Sequence, residues 1–554
     1  MKNLLKELRE NEIYISLDGE DLKLKFNHQE IPQELISRIK KDKEALVQYL
    51  KEQKTTSDVA LAIAPVSVSI DGYPLSSSQQ RLWVLDQFEE GLSSYNITQQ
   101  VELKGDYDIK LFQEAVFAVI ERHEILRTVF RKNSKGQISQ WVLNSDEVDF
   151  FIGYEDFSGE EQPMNAVSSY IQEDKLKLFN LEKGPLLRAA ILKTAVDQYV
   201  FHYNMHHIIG DGWSMGVLAN DVMSFYKAFT TKEKVQLSPL SIQYKDYAAS
   251  QLEGLNKPEK EGHKKYWSEV LSGELPIIDL PSSKTRPPLK TQKGNTLEVY
   301  LSSELTNSLK LFTKDQEGSL FISLLALWNA LVYRYTGHED LLIGTPVAGR
   351  NHIDLENQIG FYVNTLVLRN KINPEDDFLT HYKKTKEQVL SAFSHQEYPF
   401  DQILNDLNTK RDISRSAIFD MMMALQNTGD KIKGGHTIEA NVIVDKGEEL
   451  SKMDLEINFA EIGDKLLFKL NYNTDVYSKA TMSGIMMHFI QLAENSILTP
   501  NVSIKALNYL SKSEKNLLVT LFDKTDTPFP NEKTIIDLFD EQALKHPQRI
   551  ALTY

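Results

Sequence analysis

The sequence predicts a mixed α/β protein, in which a small αββα(α) unit precedes a much larger two-lobed region. Apolar residues alternate on both sides of a turn near the N-terminus, which indicates a hairpin in the small unit. From Tyr73 to about residue 510, helical periodicity and short alternating strands follow one another. That span is too long for one ordinary hydrophobic core, so we expect it to fold as two lobes.

The small unit covers residues 1–52. Apolar residues alternate over 13–17 and 22–26 around Asp18-Gly19, which predicts an antiparallel hairpin. A helical face precedes the hairpin, and apolar periodicity after Pro32 predicts one or two closing helices. A unit of this size has a thin core, which is typical of an interaction module rather than an enzyme.

The rest of the chain divides where its composition changes. A stretch rich in Thr, Ser, Ala and Val has no helical or strand face, so it predicts a linker. Near the C-terminus an amphipathic helix is followed by His546-Pro547 and an opening strand, which predicts the start of a truncated further domain. The predicted segments are a linker over 53–72, the large region over 73–510 with lobes of about 73–245 and 246–510, a second linker over 511–532, and the start of that further domain over 533–554.

Composition excludes several function classes. The 554 residues include no cysteine, so disulfides, thiolate metal sites and cysteine nucleophiles are ruled out. Lys and Arg number 62 against 78 Asp and Glu, and the resulting charge of −16 argues against a nucleic-acid binder. The N-terminus has no signal-peptide pattern, and the most apolar run, near 318–333, predicts a buried helix rather than a membrane span. We therefore expect a soluble cytoplasmic protein.

Residues 199–216 contain the densest cluster of side chains that can act as bases, nucleophiles or metal ligands. They cover a predicted strand, a turn and the start of a helix. Neighbouring strand residues point to opposite faces, so His206 and His207 are not expected to face one pocket together. One histidine can then be chemical and the other structural. Asp211-Gly212 turns the chain, and Ser214 is a candidate N-cap for the following helix.

Three interpretations of this cluster stay open on the residues alone. The histidines can be packed, hydrogen-bonded residues at a strand end. A metal site of His206, His207 and Asp211 is a second possibility, although opposed side chains make joint ligation awkward. The third is a serine hydrolase, because Gly212-Trp213-Ser214-Met215-Gly216 fits the nucleophile elbow G-x-S-x-G. That interpretation leaves the two histidines and Asp211 unexplained.

The run from His206 to Gly212 resembles the HHxxxDG signature of condensation domains from nonribosomal peptide synthetases. These domains belong with the chloramphenicol-acetyltransferase-like acyltransferases. Further segments resemble the family's other motifs in the same order. They are 74–87 (the first motif), 122–130 (RHExLRTxF), 244–248 (YxDYA), 343–350 with 360–365 (the fifth), 395–400 (the sixth) and 411–416 (the seventh).

The resemblance implies a two-lobed, V-shaped, chloramphenicol-acetyltransferase-like domain that forms an amide bond. An upstream carrier protein would present an acyl or peptidyl thioester, and a downstream carrier an aminoacyl thioester. The chain itself would bind no cofactor and no metal, because phosphopantetheine arms arrive on the partner carriers and meet in a tunnel between the lobes. The expected partners include no nucleic acid and no membrane. A catalytically silent docking or gatekeeping scaffold is the alternative.

The resemblance also implies roles for individual residues. His207 would handle protons, and Asp211 would hold the loop through an ion pair with Arg350. Gly212 would keep the tunnel mouth clear for a phosphopantetheine arm, because a Cβ there would narrow it. The other candidates are His206 beside His207, Trp213 and Ser214 on the acceptor side or as packing, Tyr362 and Asn364 near the tunnel or between the lobes, and Arg81 in the first motif.

The flanks resemble parts of the same multienzymes. Residues 1–52 resemble a TubC-type docking domain, whose hairpin would use β-augmentation to capture a short, acidic, helical tail of an upstream synthase. Lys23 and Lys25 beside the hairpin would favour such a tail, whereas a plain folded cap is the alternative. Residues 533–554 resemble the first helix and strand of an adenylation domain.

The subtype implied is one that takes an L-peptidyl donor. Positions 206–211 read HHIIGD, which lacks the DxxxxD of cyclising relatives, and epimerising relatives do not directly precede an adenylation domain. A starter type, which takes a fatty or polyketide acyl group, also fits an N-terminal docking domain. The identity of the donor stays open on the sequence.

Overall fold

The fold is that of a computed structural model, which confirms the mixed α/β class. A number of segments lie outside the description that follows. The described residues are 13–18, 21–26, 38–39, 43, 63–88, 93–255, 257–282, 284–407, 412–426, 444–523 and 530–552.

The predicted N-terminal hairpin is formed by two antiparallel strands, β1 (Ile13–Asp18) and β2 (Asp21–Phe26). Asp18 is the last paired residue of β1 and lies opposite Asp21, so the chain reverses between these two residues; the residues of the turn, where Asp18-Gly19 was expected, lie partly outside the described residues. Lys23 and Lys25 lie opposite Ser16 and Tyr14 in the register, although their side chains lie outside the described residues. The predicted helices on both sides of the hairpin lie largely outside them as well.

The first lobe is built on a four-stranded sheet of order β3-β8-β7-β6. Strand β8 pairs antiparallel with both neighbours, β3 and β7. Hydrogen bonds on both sides therefore fix the position of the strand end. Its elements are α1 (Ser77–Phe88), β3 (Asn96–Lys104), α2 (Ile109–Arg122), β4 (Thr128–Lys132), β5 (Ile138–Val142), β6 (Ile152–Asp156), α3 (Pro163–Leu176), β7 (Leu187–Ala195), β8 (Gln198–His206), α4 (Gly212–Thr231) and α5 (Tyr244–Leu255).

The second lobe is built on a seven-stranded sheet of order β11-β10-β12-β14-β15-β9-β13. Its elements are α6 (Glu261–Val270), β9 (Lys293–Leu301), α7 (Ser303–Asp315), α8 (Leu320–Thr336), β10 (Asp340–Val347), β11 (Asn364–Lys371), α9 (Phe378–Ser394), α10 (Phe400–Leu407), β12 (Met421–Gln426), β13 (Val444–Leu450), β14 (Leu455–Ile462), β15 (Lys465–Asn473) and α11 (Lys479–Leu498).

Helix α8 is the buried helix that the apolar run predicted. The side chain of Ser319 caps its first turn by accepting a hydrogen bond from the Ile322 N–H, and Gly337 ends it at a φ of 71°. Leu320 and every residue from Ile322 to Val332 are buried in the second core. A helix that is buried on all its faces lies in the interior of a large core, as this one does.

The two lobes have separate hydrophobic cores, but the chain between β10 and β11 belongs to both. Residues 348–363 leave the second-lobe sheet, and Leu355, Ile359 and Tyr362 pack in the first-lobe core. This segment, which we call the bridging loop, therefore places second-lobe residues against the end of β8.

Beyond the lobes lie α12 (Lys512–Asp523), within the segment predicted as a linker, and α13 (Ile535–Lys545). The strand expected after His546-Pro547 is absent from the described residues 549–552, where no neighbouring strand offers ladder hydrogen bonds. In the part of the chain that is described, no helix combines the length and apolar character needed to cross a bilayer.

Candidate active site

The candidate site lies at the end of β8, where the chain changes direction twice. The strand ends at His206, His207 opens a 3₁₀ turn through Ile209, and α4 starts at Gly212. The sequence interpretation kept His207 in the strand, which is wrong because the Gly210 N–H folds back and donates to the His207 carbonyl at 3.3 Å. The turn, rather than strand alternation, separates the two imidazoles.

His207 is held as a neutral imidazole with one nitrogen available. Its Nδ1 lies 2.8 Å from the Gly210 carbonyl oxygen, which can only accept, so Nδ1 carries the hydrogen and Nε2 carries a lone pair. Nε2 has no hydrogen-bond partner among the described residues, and the side chain is partly exposed. Burial and the nearby Lys452 charge lower the pKa of His207 to about 3. The Phe361 ring of the bridging loop lies edge-on at 4.7 Å.

His206 is enclosed and points elsewhere. Its Nδ1 accepts a hydrogen bond from the Ile208 N–H at 3.1 Å, and its ring lies among Tyr95 and Phe179 at centroid distances of 6.4 and 6.2 Å. Burial, with the neighbouring His207 and Lys452, lowers the pKa of His206 to about 3. The backbone contact and the aromatic packing give His206 a structural position.

Asp211 organises the turn into α4. Its Oδ1 accepts from the Ser214 N–H at 2.8 Å, which makes Asp211 the N-cap and corrects the prediction of Ser214. Asp211 is the residue with extended backbone before the first helical turn, so its carboxylate and not the serine hydroxyl reaches the free N–H. Its Oδ2 accepts from the Tyr362 N–H of the bridging loop at 3.1 Å.

Arg350 is the cation that balances the Asp211 carboxylate. Its Nη2 donates to Asp211 Oδ1 at 3.0 Å, and both side chains are almost fully buried, at 2% and 0% exposure. Nη1 donates to the carbonyl oxygens of Leu355 and Gln358, and the guanidinium lies 4.2 Å from the Tyr362 ring centre. One arginine therefore folds the bridging loop and fastens it to the first lobe.

Ser214 is buried and fully engaged. Its hydroxyl contacts Asp211 Oδ1 at 2.7 Å, Arg350 Nη2 at 2.9 Å, and the Gly360 carbonyl and N–H at 2.9 and 3.0 Å. No histidine is among the partners that the described residues give this hydroxyl. A serine nucleophile needs a base within hydrogen-bond reach, so the geometry does not support the nucleophile-elbow interpretation.

Gly212 and Trp213 border the open side of the turn. A Cβ built on Gly212 meets no atom within 4 Å among the described residues, so packing does not require glycine there. Trp213 is half exposed, and its Nε1 donates to the Glu356 carbonyl of the bridging loop at 2.8 Å. Space is thus left free beside the first residue of α4.

Three further candidates lie outside the turn at the end of β8. The buried Tyr362 ring packs edge-on against Tyr244 and Tyr247 of α5. Asn364 donates to the carbonyl oxygens of Gln396 and Tyr398, each at 2.8 Å, and accepts from the Phe400 N–H, so its amide is fully used within the second lobe. Arg81 of α1 lies 3.7 Å from the Asp401 carboxylate of α10 and joins the two lobes.

The metal interpretation finds no geometric support. The Asp211 carboxylate is committed to Arg350, Ser214 and Tyr362, while His207 Nδ1 is committed to Gly210. Across the described segments, no group of three or more His, Asp or Glu side chains converges to hold an ion.

Sequence reasoning missed four residues that surround the histidines: Tyr95, Phe179, Phe361 and Lys452. Phe361 lies inside the fifth motif and could have been singled out there. Tyr95, Phe179 and Lys452 reach the histidines only through the tertiary fold, and no local pattern marks them.

Fold and site together define a two-lobed α/β protein with a neutral histidine at the lobe junction. The condensation-domain family model matches residues 69–519. The chain is 34% identical over 513 residues to gramicidin S synthase 2 of Brevibacillus brevis, covering 92% of this chain and 11% of that protein. It is 34% identical over 484 residues to bacitracin synthase 3 of Bacillus licheniformis, covering 87% of this chain and 7% of that protein.

Solved structures share the same fold. The X-domain from teicoplanin biosynthesis aligns with a TM-score of 0.70 at 22% identity, over 81% of this chain and all (100%) of that one. The starter condensation domain of rhizomide synthetase aligns with a TM-score of 0.65 at 20% identity, over 79% of this chain and 97% of that one. This chain belongs to the condensation-domain family. It spans only a small part of the length of the curated relatives described above, at 11% and 7%.

Proposed function

We propose that this chain joins an acyl or peptidyl thioester on an upstream carrier protein to the amine of an aminoacyl thioester on a downstream carrier. The observation that carries the proposal is the His207 imidazole, which is neutral, partly exposed and hydrogen-bonded at Nδ1 only, at the junction of the lobes. A neutral imidazole with a free lone pair can accept a proton from an attacking amine.

The reaction needs no covalent enzyme intermediate. The amine nitrogen attacks the thioester carbonyl carbon, the C–N bond forms, and the ammonium proton passes to His207 Nε2. The tetrahedral intermediate then collapses, the C–S bond breaks, and the proton is returned to the leaving thiolate. Holding the two thioesters together supplies effective molarities of up to ~10⁵–10⁸ M, and general-base assistance adds ~10²–10⁴-fold.

Gly212 fits the role of leaving room for a phosphopantetheine arm, because a Cβ at this position would point into open space. The arms belong to the carriers, and the chain binds no cofactor or metal of its own. We assign the donor to the L-peptidyl type, by the resemblance of residues 79–83 and 211–214 to that subtype. The relatives named above are gramicidin S and bacitracin synthases, which agrees with a peptide product. We place the reaction in the cytoplasm.

The hairpin β1-β2 is the proposed docking element for an acidic, helical tail of an upstream synthase. Among the described residues β1 and β2 pair only with each other, and the outer edge of such a hairpin can take an added strand. Lys23 and Lys25 occupy alternate positions of β2, so they share one face of the hairpin. That face would supply the positive charge that selects the tail.

The test is a condensation assay with two loaded carrier proteins. We expect His207→Ala to lower the turnover number by ~10²–10⁴-fold, the range of general-base assistance. His338→Ala, at an exposed histidine after α8, is the matched control and should keep full activity. A wild-type rate in His207→Ala would remove His207 from the mechanism. A wild type inactive with every thioester pair would favour the silent scaffold.

A further inference from the structure

A lysine from the second lobe lies against Tyr95, an aromatic neighbour of His206. Lys452 is in the short turn between β13 and β14, and its backbone N–H donates to Glu456 Oε1 at 3.0 Å. The turn is held from both sides, because Ser451 is buried and donates to the Met453 carbonyl at 2.6 Å, and Asp454 is buried as well. The Lys452 backbone therefore has a fixed position.

The side chain of Lys452 reaches from this turn to the first lobe. Its Nζ lies 5.2 Å from the centre of the Tyr95 ring, and that ring lies 6.4 Å from the ring of His206. The Lys452 charge is close enough to lower the pKa of both His206 and His207. The ammonium thus stands at the lobe junction, against the Tyr95 ring that lies near His206, the neighbour of the proposed base.

No acceptor in the described part of the chain bonds to this ammonium. Other half-buried lysines here have one: Lys245 donates to Glu124 and Lys290 to Ser416 Oγ. The Lys452 ammonium instead faces the ring of Tyr95, and the side chain stays partly exposed. Burial lowers the pKa of Lys452, Lys175 lowers it further, and Glu456 opposes both. An ammonium that is partly removed from water is stabilised by a hydrogen-bond acceptor.

We propose that Lys452 is a further catalytic residue, whose ammonium donates a hydrogen bond to the carbonyl oxygen of the donor thioester. This inference rests on the proposed condensation reaction. As the amine attacks, that oxygen gains negative charge, and a fixed cation stabilises it without reorganisation. His207 takes the proton from the nitrogen while Lys452 keeps its own, so the C–S bond breaks and the thiolate leaves as described above.

The experiment compares Lys452→Met with Lys452→Arg in the full chain. Removing an oxyanion donor costs ~10²–10³ in kcat, so we expect Lys452→Met to lower kcat by about 10²-fold with little change in KM. Lys452→Arg keeps a cation and should recover part of the rate. Lys446→Met, at an exposed lysine of β13 paired with Glu298, is the matched control and should be unchanged.

A second measurement separates a chemical role from a folding defect. Histidine resonances titrated by NMR should show higher pKa values for His206 and His207 in Lys452→Met than in the wild type, because a nearby cation has been removed. An active wild type whose Lys452→Met variant turns over within twofold overturns this inference alone. Unchanged histidine titrations would also overturn it. A wild type inactive with every thioester pair overturns the proposed function, and this inference with it.

Discussion

The two lobes supply different kinds of structure to the candidate site. The first lobe gives the end of a central strand, with His206, His207 and the Asp211 cap fixed by backbone hydrogen bonds. The second lobe gives Phe361 of the bridging loop, which packs against His207, and Lys452, which lies over the Tyr95 ring. The histidines are thus fixed by the first lobe, while residues of the second lobe surround them. The geometry of the site therefore depends on how the two lobes are joined.

The joints between the lobes differ in their burial. The Arg350–Asp211 pair is almost fully buried, whereas the side chains of Arg81 and Asp401 are 39% and 15% exposed. A buried pair that loses one partner leaves an uncompensated charge, but an exposed pair exchanges its partner for water. Substitutions at the buried and at the partly exposed joint therefore measure how much each ion pair between the lobes stabilises the fold.

The largest effect is expected from Arg350→Met. The variant leaves the Asp211 carboxylate buried without its cation, which costs ~3–5 kcal/mol of stability. Chemical denaturation monitored by tryptophan fluorescence measures the loss, and activity should fall with it because the bridging loop is released.

Lys505→Met is the control for Arg350→Met, since Lys505 and Glu375 form an exposed pair whose side chains are 51% and 68% exposed. Its effect should stay below ~1 kcal/mol. Equal losses in the two variants would contradict the view that the Asp211 pair is the main joint.

Acid should destabilise the second lobe through His381, which is buried and whose Nε2 lies 3.2 Å from the Ala326 carbonyl. Burial lowers the pKa of His381 from 6.5 to about 4. The unfolded chain binds the proton more tightly, so stability falls as the pH drops from 6.5 towards 4. The loss reaches about 3 kcal/mol at pH 4.

Denaturation midpoints measured at pH 7 and pH 4.5 test the His381 prediction. The drop in stability should be smaller in His381→Gln than in the wild type, and His338→Gln, at an exposed histidine, should follow the wild type. Identical drops in all three proteins would remove His381 as a cause of acid sensitivity.

The sequence predicted the features that are local. The run from His206 to Gly212 marked the candidate site, and the apolar stretch of α8 and the alternation in β1-β2 marked their elements. The sequence did not predict the residue that caps α4, because the cap depends on the backbone conformation of the turn. Asp211, and not Ser214, caps the helix. Lys452 is distant in sequence from the histidines, so no local periodicity predicts that the fold brings it near them.

A smaller effect is expected from Trp213→Phe, which removes the hydrogen bond from α4 to the Glu356 carbonyl of the bridging loop. One such bond contributes ~0.5–1.5 kcal/mol. Trp141→Phe removes a similar indole bond to the Arg131 carbonyl at 3.2 Å, but within the first lobe. Limited proteolysis should therefore cut the bridging loop faster in Trp213→Phe and not in Trp141→Phe. Equal cutting of both would show that the indole does not hold the loop.

The smallest effect is expected from Arg81→Gln, which breaks the partly exposed joint between α1 and α10. Its guanidinium lies 3.7 Å from Asp401 and 5.2 Å from the Phe400 ring centre, so glutamine loses charge and some packing. Exposed pairs contribute ~0–1 kcal/mol and are screened by salt. In denaturation experiments, the difference in unfolding free energy between Arg81→Gln and the wild type should therefore shrink between 50 mM and 1 M salt. This range takes the electrostatic screening length from above ~10 Å to below it. A loss above ~2 kcal/mol that salt does not reduce would mean that Asp401, whose pKa burial raises, depends on Arg81 as Asp211 depends on Arg350.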